Sequence, residues 1–223
     1  ATARDYMGVL FQREATVGNG AMEVMLTTSS DMGYDFSTPF LLDSFVLGDS
    51  LGSNLAMAAR QGKQRPEFAA AWISEDAKVK AASIDTRRDS RPEAATVGQA
   101  PSIRAKVDVV GCGTEGFFAV FGETLTGLKS AHLKPLVGGA EPTISLWSQD
   151  CAQNFAGAYL YRGPGYVVAS SDSKLKVFRG ESGALTEISS SKDEMKGKNL
   201  QVRCTVDEKQ RIHRVVLNPK ENR

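Results

Sequence analysis

From Ile103 the chain alternates: Ile103, Ala105, Val107 and Val109 fall on one side, and Arg104, Lys106 and Asp108 on the other. That period of two marks a half-buried strand. GFFAVFGE, PTISLW, AYLY, GYVVASS, KLKVF, ALTEIS, NLQVRCTV and RIHRVVL follow at short intervals. Turn residues separate several of them: Gly138-Gly139, Gly163-Pro164-Gly165, Ser171-Asp172-Ser173 and Arg179-Gly180-Glu181. Many short strands at this spacing predict an antiparallel β domain, sandwich or barrel-like, over residues 103–223. Around DEKQ, LQVRCTV and RIHRVVL predict a terminal hairpin.

The N-terminal part, residues 1–85, reads as β-rich but less regular. Asn19-Gly20 ahead of Ala21 to Thr28 predicts a hairpin turn feeding a strand. The apolar run Phe40 to Leu47, closed by glycine and serine, suits a buried strand. Asn54 to Arg60 is rich in alanine and methionine behind an asparagine, which predicts a short helix. FAAAWIS and AKVKAASID, split by a charged turn, predict a strand pair. Between the halves, residues 86–102 concentrate charge, proline and small side chains, which predicts an exposed loop or linker. A single domain is as compatible with this pattern as two. No internal repeat is legible.

Composition bounds the rest. The 223 residues are 41% hydrophobic and 24% charged, so the fold is held by apolar burial. The net charge of +1 hides a gradient: residues 1–60 carry 3 Lys/Arg against 7 Asp/Glu, and residues 151–223 carry 13 against 8. No run of about 18 apolar residues is present, so no membrane span is expected. Three widely spaced cysteines make no disulfide framework and favour a reducing soluble compartment: the cytoplasm, or an organelle interior after leader removal. Two histidines and the lack of CxxC or HxxxH spacing predict no metal site.

The segment DVVGCGTEGFFAVFG raises the question of chemistry, because Cys112 sits between two glycines after an apolar run. A nucleophile elbow places glycines two residues before and two after the nucleophile, on a strand-to-helix turn. Here they are one residue away on each side, and a strand-like run follows. The glycines therefore predict a chain reversal between strands. Cys112 as nucleophile, with His132 or His213 as base, is a minor candidate. Covalent attachment of a cofactor through Cys112, Cys151 or Cys204 is another, and the cofactor would be unknown.

The aromatics Phe117, Phe118, Phe121, Trp147 and Tyr159 are ordinary core candidates that would line a cavity in a ligand-binding barrel. Basic residues interleave with aromatics in the C-terminal third, but acidic residues intervene, so nucleic-acid binding is not favoured. With no assembled catalytic set, metal spacing or nucleotide loop, the leading expectation is a non-catalytic structural or interaction subunit that binds other proteins in a larger complex. The alternatives are a small-molecule-binding β-barrel and an enzyme whose site is assembled only by folding.

Overall fold

A computed structural model describes residues 1–3, 5–16, 20–46, 54–62, 66–85, 92–113, 116–123, 127–133, 140, 143–148, 155–159, 163–171, 174–181, 183–192 and 201–217. The described chain is nearly all antiparallel β structure. The first sheet holds β1 (Thr2–Ala3), β2 (Tyr6–Glu14), β3 (Ala21–Ser29) and β4 (Phe40–Val46) in chain order. The second holds β5 (Leu55–Gln61), β6 (Pro66–Ile73), β7 (Lys78–Asp85) and β8 (Ala95–Gln99). β9 (Val107–Cys112), β10 (Gly116–Glu123), β11 (Gly127–Leu133) and β12 (Ile144–Trp147) form the third. The fourth holds β13 (Phe155–Tyr159), β14 (Gly165–Ser171), β15 (Lys174–Glu181) and β16 (Ala184–Lys192), and β17 (Gln201–Val206) pairs with β18 (Ile212–Leu217).

Successive sheets pack face to face in a sandwich-like series. The first strand of each lies against the first strand of the next: β1 on β5, β5 on β9, β9 on β13 and β13 on β17. The packing explains why several strands read as unbroken apolar runs. In β10, Phe117, Ala119 and Phe121 join a core layer with Ala58, Ala69 and Ala71 of the second sheet. Phe118 and Val120 point the other way, into a layer with Phe155, Val167 and Phe178 of the fourth. Strands covered on both faces lose the polar half of their alternation. In β6, likewise, Phe68, Ala70 and Trp72 meet Val24, Leu26 and Phe45 of the first sheet.

The predicted helix over Asn54 to Arg60 is not formed; Leu55–Gln61 is strand β5, paired with β6 from Leu55 opposite Trp72 to Gln61 opposite Pro66. Ala58 faces the third-sheet side and Ala59 the first, and both are fully buried. A strand of small side chains admits a sheet on each face, and that tertiary gain outweighs alanine's helix propensity in so short a segment. The one helical turn among the described residues is a 3₁₀ turn at Glu75–Ala77, with Asp76 at φ 54°. The N-terminal half is thus as regular as the C-terminal half.

The predicted loop over 86–102 contains β8, which pairs with β7 from Lys78 opposite Gln99 to Ala81 opposite Ala95. Residues 86–91 lie outside the described set. The first hairpin is present, with Glu14 opposite Met22, although its Asn19 tip lies outside the described residues. Gly113 adopts φ +46° just after β9, and β9 and β10 reverse there as expected. The terminal hairpin is also present, from Gln201 opposite Leu217 to Val206 opposite Ile212.

Candidate functional site

Every first strand is a sheet edge, so its backbone groups on one side have no ladder partner. Side chains on or just beside the first strands bond backbone groups on or beside the first strands of other sheets. Asn54 Nδ2 donates to the carbonyls of Arg104, at 2.9 Å, and Ala105, at 2.6 Å. The Tyr159 hydroxyl accepts the Ala59 N–H at 3.0 Å, and Arg60 donates to Gly113 O at 2.7 Å. Asp108 accepts the Gly157 N–H on Oδ2 at 2.8 Å and its neighbour Val109 N–H on Oδ1 at 2.9 Å. Lys106 Nζ donates to the carbonyls of Phe155 and Val202, and Cys204 Sγ donates to Ala156 O at 3.2 Å. Arg60 also pairs with Glu67, opposite it on β6, in a buried ion pair.

Burial shifts several ionisable groups of this seam. Burial raises the Asp108 carboxyl above its usual range, opposed by the Gly157 N–H, and burial lowers Lys106, opposed by the Asp108 charge. Burial also raises the Tyr159 phenol and pushes the Cys204 thiol up to about 12. Shifted pKa values of this kind mark functional sites or structural networks. Both Asp108 oxygens and the Lys106 ammonium are engaged with backbone groups.

Cys112 and His132 share one face of the third sheet, and His213 lies on the terminal hairpin. Cys112 is buried in the layer between the third and fourth sheets, where its thiol donates to Gly180 O at 2.9 Å. His132 lies on β11 against the Phe118 ring, with centroids 5.0 Å apart. His213 is exposed on β18, 3.1 Å from Asp207 Oδ2. Cys151 lies outside the described residues. Phe117 and Phe121 occupy one core layer and Phe118 and Trp147 another, so these aromatics do not line one cavity. Of the basic residues in the C-terminal third, Lys176 pairs with Glu187, Arg179 with Glu181 and Arg211 with Asp207. Among the described residues, no group of three or more His, Cys, Asp or Glu is placed to hold a metal ion, and no helix is long and apolar enough to cross a membrane.

The surface feature that the sequence reading passed over is the connection from β3 to β4. Met32, Tyr34 and Phe36 are 66%, 88% and 44% exposed there. Their backbone is held by a local network. Ser29 Oγ donates to Asp31 Oδ1 at 2.6 Å and accepts the Gly33 N–H at 2.9 Å; Asp31 Oδ1 also accepts the Asp35 N–H at 3.0 Å. The Met32 N–H reaches Asp5 O at 2.7 Å, and Thr27 Oγ1 donates to Ser37 O at 2.6 Å. The Ser29 hydroxyl, then the Asp35 N–H, hold the Asp31 carboxyl below its usual range. Met32 sits at φ 63°, a left-handed conformation that costs a non-glycine residue about 1–2 kcal/mol.

Met7 ties this loop to a groove. Its sulfur lies where a Cβ on Gly33 would come within 2.7 Å, and Met7 also lines an open groove of about 330 Å³ with Val9, Leu10, Leu55 and Met57. Sequence held one signal for the loop: three large apolar residues inside a Ser/Asp/Gly turn segment, with no strand period to bury them.

No protein-family model matches the chain, and no curated protein matches it. Among solved structures, it is similar to a glycoside hydrolase family 43 arabinoxylan arabinofuranohydrolase from Bacillus subtilis, crystallised in complex with cellotetraose. The TM-score is 0.41 at 10% identity, over 95% of this chain and 55% of that one. This chain therefore spans about half the length of that protein. A similarity at that level carries no argument about activity.

Proposed function

We propose that this protein is a non-catalytic interaction subunit that binds another protein through the β3–β4 loop. The observation that carries the reading is the exposure of Met32, Tyr34 and Phe36 on a loop whose backbone is fixed by hydrogen bonds. Large apolar side chains held out to water cost solvation unless a partner covers them. A loop already ordered loses little entropy on docking, so its aromatic area turns into affinity. The seam supports the same reading, because Asp108, Lys106 and Tyr159 spend their polar atoms joining sheets.

A photo-crosslinking residue in place of Tyr34, with the same residue in place of exposed Val215 as control, tests this in the native source. The expected result is a discrete cross-linked polypeptide at the Tyr34 position only. Equal cross-linking at both positions, or none at Tyr34, overturns the reading.

A further inference from the structure

We propose that the partner presents a basic, amphipathic segment, whose apolar side chains enter the Met7–Met57 groove and cover Met32, Tyr34 and Phe36. This inference rests on the interaction reading above and names the chemistry of its partner.

Charge carries the argument. Between Arg13 and Arg60 the chain has no Lys, Arg or His, yet it carries Glu14, Glu23, Asp31, Asp35, Asp43 and Asp49. Two of these acids are met from elsewhere in the fold: Glu23 pairs with Arg13 at 2.7 Å and Asp43 with Lys80 at 2.7 Å. Asp31 and Asp35 stand exposed in the apolar loop, and exposed Asp5 lies in the turn whose carbonyl holds Met32. The Ala1 ammonium at the groove is taken up by Gly8 O at 2.8 Å, and the three acids of the loop and turn favour a partner of opposite sign and repel a like-charged one. Acids in the loop equally disfavour an anionic lipid surface.

Size and composition indicate a segment. At about 330 Å³ the groove is at the small end for a pocket, with room for a few anchoring side chains. Met7, Met32 and Met57 are unbranched and polarisable, so the surface adapts to the apolar face of a helix or strand.

The test uses the full chain and two labelled synthetic peptides that share apolar positions at helical spacing, one with Lys and Arg on its polar face and the other with Glu. Fluorescence anisotropy should show the basic peptide binding at least about ten-fold tighter, and weakening as salt is raised. M32S/Y34S/F36S should lose about ten-fold or more of that affinity. D5N/D35N should lose several-fold and flatten the salt dependence, with its unfolding midpoint unchanged.

Equal or tighter binding of the acidic peptide overturns the proposal, as does basic-peptide binding that the triple variant retains. A dimer that the triple variant abolishes and that excludes the peptide also overturns it, in favour of a second copy as occupant. Should Tyr34 cross-link a natural partner while neither peptide binds, the partner's chemistry is wrong and the interaction reading stands. If Tyr34 captures nothing as well, both fall.

Discussion

The carboxylate of Asp108 accepts the backbone N–H of Gly157 at 2.8 Å, and so joins the first strand of the third sheet to the first strand of the fourth. No ladder connects those strands, so this side chain serves as the hydrogen-bond acceptor that a neighbouring strand would have provided.

Replacing it isolates that role. Asp108→Ala leaves the Gly157 N–H without its acceptor, and should destabilise the protein by about 1–3 kcal/mol. Asp108→Asn keeps one carbonyl oxygen and should cost less. Urea unfolding of both variants checks the order; equal stability of Asp108→Ala and the parent would show that the contact is dispensable.

Close approach of the same sheets gives a second expectation. A Cβ on Gly165 would lie 2.5 Å from Gly111 O and 2.4 Å from Val110 Cγ1, so backbone must move. A Cβ on Gly8 would meet the mobile end of Met57 at 2.4 Å. Gly165→Ala should therefore cost about 1–3 kcal/mol by overpacking, and Gly8→Ala less. Thermal unfolding of the pair decides it.

The thiols should be sluggish. Cys204 is pushed up to about 12 by burial first and the Asp108 charge second, and its Sγ donates to Ala156 O. Near neutral pH little thiolate forms, so iodoacetamide should label Cys204 at least about ten-fold more slowly in the native protein than in urea. Rapid native labelling would mean that the β13–β17 seam opens.

Acid should loosen the terminal hairpin in a defined window. The Arg211 N–H, then the His213 ring, hold Asp207 down to about 2, below the ordinary carboxylate value. A depressed folded pKa gives stability that is complete above the unfolded value and is lost as pH falls through the folded one. Amide protection at Lys209 and Arg211, whose N–H groups bond Asp207 Oδ1, should fall between about pH 4 and pH 2. In Asp207→Asn that pH dependence should vanish.

Much of the strand layout was legible, because GFFAVFGE and GYVVASS are short runs rich in aromatic and β-branched residues that open on glycine, and the DEKQ turn sits between two alternating runs. The architecture was less so. Four-strand units begin at Thr2, Leu55, Val107 and Phe155, but the repeat lies in topology: each unit fills its layers with different residues, alanines in β6 and phenylalanines in β10. β5 reads as a helix for the same reason, since small side chains at a sheet-to-sheet contact look like helix propensity. Of the candidate surface, Met32, Tyr34 and Phe36 left only a turn composition in the sequence, because exposure depends on what the fold fails to cover. Asp108 and Tyr159 were hidden differently: their partners are 49 and 100 residues distant along the chain.

Native mass spectrometry of the protein isolated from its source, as parent and as M32S/Y34S/F36S, tests the interaction reading most directly. The account predicts that the parent carries another polypeptide, and that the variant runs as a bare chain with its thermal unfolding unchanged. A variant that keeps the same partner at the same stoichiometry would contradict it.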